Sequence, residues 1–191
     1  MVSALPPLVV MGVSGCGKST VGSLLGQRLG MPFLDGDDFH PAANKQKMAA
    51  GVPLTDKDRE PWLGRLGELL AAKAGDGATV PPIVACSALK RRYRDLLRSY
   101  APEVVFIHLA GTAATIGARM EARAHEFMPR ALLESQFAAL EELAADEPHI
   151  LGDVTQPLEV LVESLAQELQ AGLPVQTTAG GPTRSERRQL Q

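Results

Sequence analysis

The amino-acid sequence predicts an α/β domain built on a parallel sheet with helices on both faces. Three features carry that prediction. Short apolar runs rich in β-branched residues alternate with longer segments of helical period. Helical segments separate successive runs, which is how a chain returns to a parallel neighbour. The first run enters the first helix through a glycine-rich loop at residues 12–19. With 191 residues, 45% hydrophobic and only 4% aromatic, the chain can bury one substantial core, and a single domain over residues 1–170 is expected.

Each element has a local cause. LVVM at 8–11 is a short apolar first strand, and Val21, Leu24, Leu25 and Leu29 then recur at helical spacing until Gly30 closes the helix as a C-cap. MPFL at 31–34 is a second strand that runs into the acidic turn Asp35-Gly36-Asp37-Asp38. Residues 41–50 form a short helix ended by Gly51. A polar stretch leads to a helix with Trp62, Leu63, Leu66 and Leu70 inward and Pro61 near its first turn, where a missing N–H is tolerated. PPIVAC at 81–86 is the third strand, and Leu89, Tyr93, Leu96, Leu97 and Tyr100 mark the next helix. VVFIHL at 104–109 is the fourth strand, followed by a helix at 113–123 and another carrying Leu132, Leu133, Gln136, Phe137 and Leu140. A fifth strand falls near 149–154 and a final helix at 157–170. Beyond Ala171 the composition turns to Gly, Pro, Thr and charge without an apolar period, predicting a flexible tail over 171–191.

Residues 12–19 read GVSGCGKS, the complete G-x-x-x-x-G-K-S pattern of a phosphate-binding loop. A strand that turns sharply into a helix aims backbone N–H groups and the helix dipole at one point, and glycines at 12, 15 and 17 let the backbone approach a polyphosphate. Lys18 would reach the β- and γ-phosphates of a nucleoside triphosphate. The Ser19 hydroxyl would join the shell of a Mg²⁺ ion that touches the same oxygens. The nucleotide loop therefore comprises Gly12, Val13, Ser14, Gly15, Cys16, Gly17, Lys18, Ser19 and Thr20.

Net charge is −3, which argues against a nucleic-acid partner held by general electrostatics. The two cysteines, Cys16 and Cys86, do not make a disulfide framework, so free thiols and a reducing compartment are expected. No apolar run approaches the roughly 18 residues of a membrane span, and no basic region precedes a secretory apolar stretch. A cytoplasmic protein with no membrane partner is the expectation.

The loop alone does not separate a kinase from an ATPase or a GTPase. The segment DGDDFHPAANKQKM, just past the second strand, places Asp35, Asp37, Asp38, His40, Asn44 and Lys47 together, and carboxylates, amides and imidazoles are the groups that hold a polyhydroxy acceptor in line with a γ-phosphorus. Either Asp37 or Asp35 would accept the hydroxyl proton or orient the acceptor. Arg119 and Arg123, spaced i,i+4, would present two guanidinium groups to the transferring phosphoryl from a lid. No Asn/Thr-Lys-x-Asp segment of the kind that reads guanine is present.

On these residues the chain resembles the gluconate kinases (gluconokinases) of the small P-loop type. GVSGCGKS at 12–19, DGDDFHPAANKQKMAAGVPLTDKDREPWL at 35–63, CSALKRRYRDLLR at 86–98, FMPRALLESQFAALE at 127–141 and TQPLEVLV at 155–162 match successive blocks of that family across about residues 8–170. The resemblance implies a three-layer P-loop kinase fold with sheet order 2-3-1-4-5 and a helical lid. It implies ATP-dependent phosphorylation of D-gluconate at its 6-hydroxyl, commonly by a homodimer, with the product entering the pentose phosphate or Entner–Doudoroff route. Asp37, His40 and Lys47 match the block that faces the acceptor, Arg119 and Arg123 the lid, and Gln156 in Thr155-Gln156-Pro157 the turn beside the adenine. For the acceptor carboxylate a cation is needed, and Lys90, Arg91, Arg92, Arg94 and Arg98 offer one, Lys90 ahead of Arg91, with Ser87 as a further polar contact. Where many members read Arg-Lys-Gly-His-Phe in the lid, this chain has Arg123-Ala124-His125-Glu126-Phe127, so His125 is assigned no role. The rivals are a kinase of another small hydroxylated metabolite, such as shikimate or a nucleoside, and a non-enzymatic nucleotide-dependent interaction module.

Overall fold

The computed structural model describes residues 5–72, 80–122 and 130–172, except for the side chains of 121, 122 and 130–132. Its centre is β1 (Leu8–Met11), all four residues of which are fully buried. β1 lies parallel to β3 (Ile83–Ala85) on one side and to β4 (Val105–Ala110) on the other, with Val9 opposite Val84 and Phe106. β2 (Phe33–Asp35) and β5 (His149–Asp153) form the edges, giving the parallel order β2-β3-β1-β4-β5 that was expected.

Alternation along β1 divides the core into two layers, because successive side chains of a strand point to opposite faces. Leu8 and Val10 pack with Val21 and Leu25 of α1 (Lys18–Leu29) and Leu161 and Leu165 of α7 (Leu158–Ala171). Val9 and Met11 pack with Trp62, Leu63 and Leu66 of α3 (Asp56–Ala71) and Leu97 of α4 (Arg91–Tyr100). α2 (Ala42–Ala49) lies between the acidic turn and α3 in the chain, while α5 (Ala113–Ala122) and α6 (Arg130–Ala139) bring Ile116, Met120 and Leu133 to the α1 side.

Several boundaries differ from the sequence pattern, among them the starts of β2, α3 and α4. β2 begins at Phe33, because the Met31 N–H bonds Gly26 O at the end of α1 and Pro32 offers only a carbonyl, taken by Ile83 N–H at 2.8 Å. α3 starts within the polar stretch at Asp56, where a Thr55–Asp58 capping box satisfies its first donors. Pro61 therefore lies inside the helix rather than near its first turn. Leu89 precedes α4 instead of belonging to it.

Candidate active site

The loop between β1 and α1 has the backbone that its glycines allow. Gly15 and Gly17 have φ of 77° and 101°, a region that side-chain-bearing residues rarely adopt. Gly17 caps α1 with no side-chain hydrogen bond, and no acidic residue occupies the first turn, so the helix's N-terminal donors and dipole remain available to an anion. Lys18 Nζ donates to Val13 O at 3.1 Å, folding the lysine along the loop. The loop is braced twice: Gly12 N–H donates to Ser87 O at 3.3 Å, and Gln136 of α6 accepts from Ser14 N–H at 2.7 Å while donating to Ser14 Oγ at 2.9 Å. Burial pushes the Cys16 thiol up despite Lys18, so it stays protonated and packs as an apolar group.

Beside the loop is a cavity of about 330 Å³, lined by Gly15, Gly17, Thr20, Arg119, Gln156 and Leu158 among others. Three residues distant in sequence that were expected on the nucleotide, Thr20, Arg119 and Gln156, are thus brought to one space. Asp153 Oδ1 accepts from the N–H and Oγ of Thr155 at 2.8 and 2.7 Å, which shapes the turn that presents Gln156. Apolar Leu158 and Leu161 supply a wall suited to a purine face.

Ser19 Oγ donates to Asp35 Oδ2 at 2.6 Å, and Asp35 Oδ1 accepts the Asp37 N–H at 3.1 Å. Asp35 thereby caps a single 3₁₀ turn, Gly36–Phe39, and ties it to the nucleotide loop. Among the described residues no group of three or more His, Cys, Asp or Glu could by itself hold a metal. The donor set instead suits a Mg²⁺ shared with phosphates: one hydroxyl, Ser19, with the Asp35 carboxylate behind it.

Across the acidic turn the acceptor block is ordered by α3. Trp62 Nε1 donates to Gly36 O at 2.7 Å and its ring stacks on His40 at 4.1 Å. Asn44 Nδ2 donates to Asp58 O at 2.8 Å, which sets the amide's orientation, and lies 3.3 Å from His40 Nδ1. Nδ1 therefore accepts, and the ring proton sits on Nε2, 3.8 Å from Asp37 Oδ1. Burial lowers the His40 pKa, with Asp37 opposing, so the imidazole is neutral near pH 7. Asp37 itself is 85% exposed, with its carboxylate turned to solvent. Lys47 reaches Asp58 at 2.7 Å, and that bond with those from Thr55 holds the Asp58 carboxyl well below the ordinary range.

The basic cluster after β3 is neutralised by carboxylates. Lys90 lies 3.0 Å from Asp56, which also meets Arg92 and the Tyr93 hydroxyl. Arg91 donates to Asp146 at 2.9 Å, and Arg98 pairs with Asp95 and Asp146. Arg94 is fully buried against Glu147, its Nε 2.6 Å from Oε1. Ser87 stays half-buried at the tip of β3. Arg123 and His125 lie outside the described residues. The sequence pattern passed over Gln136, which carried only a helical period, and Arg59, whose place beside the acidic turn depends on how α3 packs.

Comparison with known proteins accords with this geometry. The family described as AAA domain matches residues 8–143. The thermosensitive gluconokinase of Escherichia coli is 45% identical over 164 residues, covering 85% of this chain and 87% of the relative. The chain belongs to the gluconokinase family. Another member, the gluconokinase of Arabidopsis thaliana, is 41% identical and covers 84% of this chain and 90% of its own. Among solved structures, a gluconokinase from Sinorhizobium meliloti superposes with a TM-score of 0.78 at 44% identity, over 87% of this chain and 91% of that one. The APS kinase of Mycobacterium tuberculosis, at 19% identity and a TM-score of 0.58, shares the fold with this gluconokinase-family chain.

Proposed function

We propose that the chain transfers the γ-phosphoryl group of ATP to the 6-hydroxyl of D-gluconate, giving 6-phospho-D-gluconate and ADP. One observation carries the reading: Asp35 bonds Ser19 of the nucleotide loop and caps the turn that presents Asp37 and His40, so nucleotide and acceptor sites share a wall. The printed names of relatives that are 45% identical support gluconate as the acceptor.

In this reading Lys18 leaves Val13 O for the β- and γ-phosphates, and the backbone N–H groups at the N-terminus of α1 and in the last residues of the loop cradle them. Mg²⁺, held by Ser19 with Asp35 behind it, supplies neutralisation of phosphate charge when bound. Asp35 has both oxygens engaged, whereas Asp37 is free to accept the hydroxyl proton and orient its lone pair at phosphorus. His40 donates from Nε2 and positions Asp37 and the polyol, with Lys47 and Ser87 at the rim. Arg119 and Arg123 stabilise charge on the transferring group and help exclude water. Lys90 serves the acceptor side through Asp56. Gln156 borders the base. A cytoplasmic homodimer completes the reading, the buried free thiols Cys16 and Cys86 being suited to a reducing compartment.

The test is ADP release in a coupled assay with Mg·ATP and a panel of D-gluconate, related aldonic acids, glucose, shikimate and nucleosides. D-Gluconate-dependent release with 6-phosphogluconate as product is expected. Turnover of another panel member alone would replace the acceptor, and ATP binding without any turnover would favour an interaction module. Light scattering of the purified protein tests the dimer.

A further inference from the structure

A sugar acid brings a carboxylate into the acceptor pocket, and a desolvated carboxylate without a cation is costly. The cations after β3 are committed elsewhere: Lys90 and Arg92 to Asp56, Arg91 to Asp146, Arg94 to Glu147, and Arg98 to Asp95 and Asp146. Lys47 is held by Asp58. Among the residues whose side chains are described, the cations without a carboxylate partner are Lys18, Lys45, Lys57, Arg59 and Arg119. Lys18 and Arg119 belong to the nucleotide side, and Lys45 and Lys57 are exposed.

Arg59 is half-buried on α3. One of its NH1 hydrogens goes to Leu54 O, and among the described residues its other N–H groups have no protein acceptor. None of them is sealed from solvent, since among the described residues no buried side-chain nitrogen lacks a partner. Trp62, one turn further on α3, holds Gly36 O and stacks on His40, which sets this stretch of the helix against the acidic turn. The field agrees: Arg59 disfavours protonation of His40, and at the Cys86 thiol its charge, like that of Lys18, opposes the effect of Asp37.

We propose that Arg59 recognises the acceptor's carboxylate, its guanidinium fork taking both oxygens while the far end of the polyol offers its hydroxyl to Asp37. The inference rests on D-gluconate being the acceptor. It makes Arg59 the residue that separates sugar acids from neutral polyols.

The experiment compares wild type, Arg59→Gln and Arg59→Lys on D-gluconate and its neutral isostere D-gluconamide, with KM and kcat for each and KM for ATP. Wild type should prefer gluconate. Arg59→Gln should raise the gluconate KM by about 10- to 100-fold, the worth of a charged hydrogen-bonded contact, and leave the gluconamide and ATP KM values unchanged. The preference for the acid then collapses. Arg59→Lys, which keeps charge but loses the fork, should restore part of it and also serves if the Gln variant does not fold. A wild-type preference that survives in folded Arg59→Gln overturns the proposal, as does a wild type that uses the amide equally well, or a Lys90→Met variant that loses the preference while Arg59→Gln keeps it. A wild type inactive on both compounds overturns the gluconate assignment itself, and this inference with it.

Discussion

Replacing Arg94 with methionine should unfold this protein more readily than any other single change on α4. The guanidinium is fully buried and makes two bonds to Glu147, at 2.6 and 3.1 Å, with others to Ala88 O and Leu89 O at 3.1 Å and Glu142 O at 3.2 Å. Methionine fills much of the volume but leaves Glu147, 1% exposed, with one hydrogen bond, from the Ala144 N–H at 2.9 Å, and the more distant Arg91 guanidinium at 4.0 Å. Removing one member of a buried ion pair costs about 3–5 kcal/mol, and for a domain of this size that is a fall in Tm of about 8–16 °C. Adding Glu147→Gln removes the stranded charge, so the double variant should recover about half of the loss. Trp62, the sole tryptophan and buried, reports urea unfolding directly. The consequence reaches the site, because Arg94 holds the carbonyl of Ala88, which sits at φ 43°, and the adjacent Ser87 O accepts from Gly12 N–H. A loss below about 1 kcal/mol for Arg94→Met, or a double variant less stable than the single one, would refute the reasoning.

The site makes further predictions. Lys18→Ala should lower kcat at least about 100-fold with circular dichroism unchanged, whereas Asp37→Asn should leave ATP binding by calorimetry intact and depress transfer by about 100-fold or more. Normal turnover by the Asn variant would remove Asp37 from the chemistry. Gly36→Ala should damage both stability and the gluconate KM, since its Cβ would come within 2.3 Å of Ala85 O and 3.2 Å of Leu66 Cδ1 and push the acidic turn off β3. An alanine variant with wild-type kinetics would show that the turn yields freely. The pH profile follows from His40: burial puts its folded pKa below the ordinary 6.5, so the unfolded chain takes up the proton first and stability falls as pH drops below 6.5. Asp58, whose folded pKa is depressed by Lys47 and Thr55, contributes stability that is present above its ordinary 3.8 and lost as pH falls further. Urea midpoints measured across this range should show the upper slope in wild type and a shallower one in His40→Gln, the remainder coming from His108, whose pKa burial also lowers; a flat wild-type profile near pH 6 contradicts the burial argument.

Much of this protein could be read along the chain because its causes are local. The loop at 12–19 lies between a four-residue apolar strand and an amphipathic helix, and the acidic turn follows β2 directly, so both halves of the site declare themselves by spacing. The strand order is the one that the resemblance to the gluconate kinases implied, and the periodicity of the runs gave only a parallel sheet. Local pattern misplaced the start of β2 and the first turn of α3 by a few residues, where Pro32 and the Thr55 cap decided the ends.

Pairings between distant residues were another matter. Five cations after β3 look equivalent in sequence, yet beyond Asp95 on the same helix their partners stand 34 or more residues away at Asp56 and 48 or more away in the loop around Asp146 and Glu147. Gln136 reaches Ser14 across 122 residues. A helical period states that a side chain faces inward without saying what it meets there. Which arginine is buried, which lysine is neutralised and which guanidinium remains open beside the acidic turn are settled only when α3 and α4 pack on one face of the sheet, because charge pairing depends on distance in space and the sequence records only distance along the chain.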